Sequence, residues 1–211
     1  MQRQIIHQTS SNNFSKALSA GIACYNINPD ISIVSYQARL DEKSAIALVN
    51  CHDVVADCTD NVTARYLIND ACVYNNKPLI SAAAVGTSGQ LTNFCLNNGP
   101  CYRCLNPQPP PAHTVQSCSD NGVLGVIVGM VGTSQALEVL KVLSHLDFLR
   151  RKKECLNHNN DSNDVLKISS TNKQTWPKND TELLIPLEGS MLTWEATHSE
   201  VHKIKIRPRQ E

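Results

Sequence analysis

Net charge is the first thing this chain lacks. Its 19 Lys and Arg residues are matched by 19 Asp and Glu, so the formal charge is zero. There is then no basic field to hold nucleic acid or an anionic membrane. Long apolar runs are missing too. Val123 to Val131 is the longest and is broken by Gly125 and Gly129, whereas a membrane span needs roughly 20 residues. No charged-then-apolar leader opens the chain, because Met1-Gln2-Arg3-Gln4-Ile5-Ile6-His7 passes at once into Gln8-Thr9-Ser10-Ser11-Asn12. No internal repeat is visible. These absences predict a soluble, cytoplasmic globule, free of direct contact with nucleic acid or membrane. Nine cysteines, an odd number, read as reduced thiols of the cytosol. With 211 residues and 41% hydrophobic content, the chain has enough to build a core.

What is present alternates between strand and helix. Lys16 to Ile27 carries apolar residues at helical spacing and stops at Asn28-Pro29, after which Ser32 to Tyr36 reads as a strand. Asp41 to Val49 is a predicted helix capped by Asp41. Asp53 to Cys58 is a short apolar run of the kind found in buried parallel strands. Thr63 to Tyr74 is the next helix and Leu79 to Ala84 the next strand, so a mostly parallel sheet covered by helices is expected. Gln90 to Leu96 is a strand ending in a polar turn, Pro107 to Pro111 cannot be helical, and Val123 to Leu143 returns to helix. Residues 150–186 are polar and read as a flexible insertion between residues 1–149 and the paired strands of 187–211, which belong to the same domain.

Three places carry chemistry. Asp57-Cys58-Thr59-Asp60-Asn61 closes a predicted strand, and open parallel sheets bind ligands at that end. Asp60 is suited to magnesium or to ordering a nucleotide phosphate, with Lys16 as counter-charge. Equally, Thr59 or Asp60 could simply cap the following helix. Cys118 stands in a polar loop before a helix, where the dipole favours a thiolate, although an inert surface thiol reads the same way. His113 is close enough in sequence to serve as its base or to be merely solvated. Cys101 and Cys104 form a C-x-x-C pair between Gly99-Pro100 and Asn106-Pro107, a setting that suits structural zinc better than a redox motif. Two thiols fill half of a tetrahedral shell, and Cys155 with His158 are the internal candidates for the rest. Cys24, Cys58, Cys72 and Cys95 read as inert core thiols, and Cys51 as a helix-end residue.

Taken together, Gln2-Arg3-Gln4, Lys16, Asp53 to Asn61, Pro100 to Cys104, Pro107 to Pro111 and Ser117 to Gly125 resemble the ThiF/MoeB adenylyltransferases. The proline run and the Cys118 context are similar to the eukaryotic branch that serves molybdenum-cofactor synthesis and tRNA thiolation. The likeness spans Met1 to about Leu143 and resumes from Met191 to Gln210. It implies a Rossmann-like fold with an antiparallel carboxyl-terminal strand pair. It also implies ATP- and magnesium-dependent adenylylation of the carboxyl-terminal glycine of a ubiquitin-like sulfur carrier, followed by thiocarboxylate formation, in a protein that pairs as a homodimer. By the same resemblance Arg3 and Lys16 hold the ATP phosphates, Gln2 belongs to the cofactor site, Asp60 handles magnesium, Asn61 belongs to the nucleotide pocket, Cys118 is the covalent acyl acceptor, and Cys101 with Cys104 is half of a zinc site.

The departures from the family pattern are equally specific. The chain opens inside the Asn-Leu-Gln-Arg-Gln motif, downstream of the family's glycine-rich loop. It closes before a second C-x-x-C and before a rhodanese-like domain. Gly86 and Ser88 stand where Arg and Glu are usual. The rival expectation is a non-catalytic fragment or pseudo-enzyme that binds a ubiquitin-like protein or a full-length partner.

Overall fold

The computed structural model describes residues 4–111, 122–160, 186–187, 189–198 and 200–206, with the backbone alone over 152–160. Each early helix starts where a side chain can accept from its free backbone N–H groups. Helix α1 (Lys16–Ile27) begins at Ser15, whose Oγ accepts from Leu18 N at 3.2 Å. Helix α2 (Glu42–Asn50) begins at Asp41, whose Oδ1 accepts from Ser44 N at 2.8 Å while Ser44 Oγ accepts from Asp41 N at 2.9 Å. Those bonds hold the Asp41 carboxyl below its ordinary range. Helix α3 (Val62–Tyr74) begins at Asn61.

Five strands form one sheet in chain order: β1 (Val55–Asp57), β2 (Leu79–Val85), β3 (Ser88–Phe94), β4 (Ser190–Glu195) and β5 (Glu200–Lys205). The α/β class and the antiparallel carboxyl-terminal pair are as expected. The mostly parallel pairing is not, because among the described strands only β1 and β2 run parallel, joined by the α3 crossover, with one isolated parallel bridge between Gly86 and Val123. Strands β2 and β3 are instead a hairpin around Gly86-Thr87, with Gly86 at φ +58°, a conformation suited to a residue without Cβ. Strands β4 and β5 extend the antiparallel ladder. The strand expected at Ser32 to Tyr36 is absent: these residues are unpaired and exposed, since β-branched composition makes a strand only where a ladder accepts it.

The sheet carries a core on each face. Adjacent residues point to opposite sides, so Ile80 packs with Ala82, Leu91, Ile127, Val131, Val142 and Trp194, whereas Leu79 packs with Phe94, Ala45, Val49, Ile68 and Cys72. The first core belongs to α5 (Gly125–Asn160), which follows the one-turn helix α4 (Tyr102–Leu105). Helix α5 lies so close to β3 that a Cβ on Gly89 would come within 2.5 Å of Val131 Cγ2. It also corrects the insertion boundary, because residues 150–160 continue the helix; residues 161–185 lie outside the described set. By length and composition, Gly125–Arg151 could cross a membrane. Here one face of it covers the sheet.

Candidate functional site

The carboxyl end of β1 is built around a buried carboxylate. Asp57, 1% exposed, accepts from Thr59 N at 2.8 Å, Thr59 Oγ1 at 2.7 Å and Ser81 Oγ at 3.3 Å. Its backbone oxygen accepts from Gln135 Nε2 at 3.0 Å, and the same amide donates to Ile80 O at 2.9 Å. Gln135 therefore clamps the two parallel strands from α5. The loop is further tied by Arg65, whose Nη2 donates to Thr59 O at 2.8 Å and Ala82 O at 3.2 Å.

Within this scaffold Asp60 and Asn61 part ways. Asn61 Oδ1 accepts from Ala64 N at 2.8 Å and caps α3, an interaction worth about 1 kcal/mol. Neither Thr59 nor Asp60 is the cap. The Asp60 side chain makes no hydrogen bond or ion pair within the described residues and faces solvent at the start of a helix. An open carboxylate fits a hydrated magnesium, a cation that keeps several waters and takes one or two protein oxygens. Lys16 lines a pocket of 180 Å³ with His7, Gln8, Ser11, Asn12, Phe14 and Ser19. No ion pair joins it to Asp60 among the described residues. In that pocket Ser19 Oγ is within 2.9 Å of both His7 Nδ1 and Ser11 Oγ. Gln2, Arg3, His113 and Cys118 lie outside the described residues, as do the side chains of Cys155 and His158. After Cys118 in the chain, the described residues resume at Gly122, whose oxygen accepts from Gly86 N at 3.1 Å, while Leu124 N donates to Gly86 O at 2.8 Å. Gly122 and Leu124 are thus fixed at the β2–β3 turn.

Cys101 and Cys104 are brought together, Sγ to Sγ 3.6 Å, at the start of α4. Two sulfurs about 2.3 Å from a tetrahedral zinc stand about 3.8 Å apart, so the pair has the bite of half a zinc site. Among the described residues no group of three or more potential ligands gathers, so they do not complete it. The pair is held in place by its neighbours. Tyr102 N donates to Asn69 Oδ1 at 2.8 Å, and the Arg103 guanidinium bonds both Asp70 oxygens and lies 4.6 Å from the centre of the Tyr66 ring. That contact holds the Asp70 carboxyl below its ordinary range.

Burial raises three of the other thiols. Burial pushes Cys72 and Cys95 up to about 12. Cys58 presents some residue surface, yet its thiol donates to Gln135 Oε1 at 3.3 Å, and burial of the sulfur followed by the charge of Asp57 raises its pKa. Cys51 caps the end of α2.

Sequence reasoning passed over Asp57, Arg65, Gln135 and Glu138. Glu138, 2% exposed, accepts from Asn93 Nδ2 at 2.8 Å, Lys141 Nζ at 2.7 Å and Leu187 N at 2.9 Å, joining β3, α5 and the carboxyl-terminal segment. The available signal was Gln135 and Glu138 in register with Val131 and Val142, two polar residues on an apolar helix face.

Comparison with known proteins agrees with this architecture. Adenylyltransferase and sulfurtransferase MOCS3 of Danio rerio is 50% identical over 144 residues, 68% of this chain and 31% of the relative. The protein of the same name from Dictyostelium discoideum is 47% identical over 145 residues, 69% and 34% of the two chains. Adenylyltransferase and sulfurtransferase UBA4 of Meyerozyma guilliermondii is 44% identical over 144 residues, 68% and 34%. The chain thus spans about a third of the length of these curated relatives. The crystal structure of E. coli MccB with ATP superposes at a TM-score of 0.64 and 13% identity, covering 99% of this chain and 52% of MccB, a likeness of fold. The ThiF family model matches residues 1–180, and this chain belongs to the ThiF family.

Proposed function

We propose that this chain serves the ATP-dependent adenylylation of the carboxyl-terminal glycine of a ubiquitin-like sulfur carrier, on the way to a thiocarboxylate used in molybdopterin synthesis, tRNA 2-thiolation or both. It acts in the cytosol and pairs with a second copy. The observation that carries this reading is Asp60. In a ThiF family chain, at the carboxyl end of β1, every polar neighbour is occupied in holding the loop and this one carboxylate is left over for a ligand.

ATP supplies the adenylyl group, and magnesium offsets the charge of its phosphates. Asp60 would hold the metal. Lys16, with Gln2 and Arg3, would hold the phosphates. Arg65, Asp57 and Gln135 keep the loop rigid, so that Asp60 need not reorganise as ligand binds. Cys118 is the proposed acyl acceptor: its sulfur attacks the activated glycine carbonyl, the new bond is a thioester, and AMP leaves. Cys101 and Cys104 would hold zinc once two further ligands join them.

Titration calorimetry with magnesium-ATP tests this. The parent chain is expected to bind. Asp60→Asn should lose binding at least about 10-fold, the cost of one charged contact, with an unchanged melting temperature because Asp60 supports nothing else. Absence of binding heat in the parent chain would sink the proposal in favour of a non-catalytic ubiquitin-like-protein binder.

A further inference from the structure

The turn that carries Cys101 and Cys104 is held from both sides. On its entry side Cys95 N donates to Pro100 O at 3.1 Å and Gly99 N to Leu96 O at 2.7 Å, with Cys95, Asn97 and Asn98 in the left-handed region at φ 57°, 50° and 61°. Residues with side chains keep that conformation only where their surroundings impose it, and such places cluster at functional sites. On its exit side Tyr66 Oη donates to Asn106 O at 2.7 Å, while Asn69 and Asp70 of α3 hold Tyr102 and Arg103. Between these anchors Cys104 N donates to Cys101 O at 3.0 Å, and Cys101 N to Cys104 Sγ at 3.4 Å. The two sulfurs stand 3.6 Å apart on half-buried residues, within reach of a small solute.

We propose that Cys101 and Cys104 are a redox modification site, closed into a disulfide by a small disulfide of the glutathione class and reopened by the matching thiol. Geometry favours the bond. A closed turn sets its first and fourth Cα atoms less than about 7 Å apart, the span that a disulfide bridges. The sulfurs have only to approach from 3.6 Å to about 2.0 Å, and rotation of the two side chains achieves this while the backbone stays on its anchors. The chemistry is a double exchange. One cysteine thiolate attacks a sulfur of the small disulfide, whose S–S bond breaks and releases the first small thiolate. The second cysteine thiolate attacks the resulting mixed disulfide, the Cys101–Cys104 bond forms, and the second small thiolate leaves. Two electrons thus pass from the cysteines to the small disulfide, and the two cysteine protons end on the released thiols. The bond takes the same two sulfurs that zinc would use, and a metal needs them as thiolates. The pair therefore holds a metal or a bond, never both.

The test equilibrates the full chain with a series of oxidised-to-reduced glutathione ratios, quenches it with iodoacetamide and digests it with trypsin. Arg103 lies between the two cysteines, so cleavage there parts them unless a sulfur bond holds the fragments together. The expected product is residues 78–103 joined to residues 104–141, lighter by two hydrogens than the two free peptides, with fragmentation placing the bond on Cys101 and Cys104. Its yield should rise with oxidised glutathione and be lost on return to the reduced form. Cys104→Ser should halt the reaction after the first exchange and leave glutathione on Cys101. Fragments of the parent chain that separate at every ratio, as they would if a metal kept both sulfurs, would overturn the proposal. So would a bond placed on Cys95 or Cys118. Neither nucleotide nor carrier enters the measurement, so failure here leaves the adenylylation reading standing, and failure of ATP binding leaves this one standing.

Discussion

Glu195 is the residue whose behaviour is most sharply set by its neighbours. It accepts from Ser88 Oγ, from Thr87 Oγ1 and Thr197 Oγ1 at 2.9 Å, and from Thr197 N at 3.3 Å. All four donors favour the ionised form, and they lower its pKa from 4.5 to about 2, with Ser88 the largest contributor. Since the folded pKa lies below the unfolded one, the stabilisation is complete above pH 4.5 and disappears as pH falls toward 2. A carbon-detected NMR titration should find the Glu195 carboxyl still charged at pH 4.5, the ordinary midpoint of a glutamate. Ser88→Ala should bring the midpoint back toward that value. A parent midpoint already near it would mean the hydroxyls are not held. Ser88 in turn spends its hydroxyl on Glu195.

Among the elements, α5 does most to join the parts. Gln135 donates to Asp57 O and Ile80 O and accepts from the Cys58 thiol, so one amide reaches both parallel strands. Removing it leaves two carbonyls and a thiol without these partners, at about 1–3 kcal/mol for each buried group. Gln135→Ala is therefore expected to cost about 3 kcal/mol or more in urea unfolding, and to speed amide exchange at Cys58 and Thr59 without touching β4 and β5. Uniform exchange would show that the clamp is not local. Helix α5 also marks what could be read in advance. Its apolar periodicity located it from Val123 onward, helical spacing located α1, the Asp41 cap located α2, and α3 was placed within about a residue although Asn61 was not read as its cap. Its length could not be read, because Arg150 to Asn160 is polar and helix propagation needs no apolar face once a helix is under way. The strand order was equally out of reach. Whether Ser32 to Tyr36 pairs depends on which strands stand beside it, not on its own residues. At the site, the approach of Cys101 to Cys104 was legible from spacing, whereas the capping role of Asn61 was not. Nor were the roles of Asp57, Arg65 and Gln135, since they rest on backbone atoms and on side chains brought near only by the fold.

At the scale of the whole molecule, the sheet has to behave as one body although it separates two cores. Leu79 and Ile80 are 1% and 0% exposed and are neighbours in β2, yet each belongs to a different face. The faces have separate optical reporters. Trp194 is buried against α5, whereas Tyr66 and Tyr102 stack edge to face 5.1 Å apart beside α3. If hydrophobic burial alone held each side, the two could melt independently. The strands are shared, however, and losing the Leu79 side removes the ladder on which the Ile80 side rests. Leu79→Ala is thus expected to cost about 2–5 kcal/mol and to lower the Trp194 and tyrosine transitions together, in a Trp176→Phe background that leaves one fluorescent indole. Coincident midpoints by fluorescence and near-ultraviolet dichroism are the mark of a single cooperative unit. A Trp194 transition unmoved by Leu79→Ala would mean that α5 and the β3–β5 ladder fold without α2 and α3. The Asp57 loop, which draws on Ser81 from one face and Gln135 from the other, would then be ordered only when both halves are.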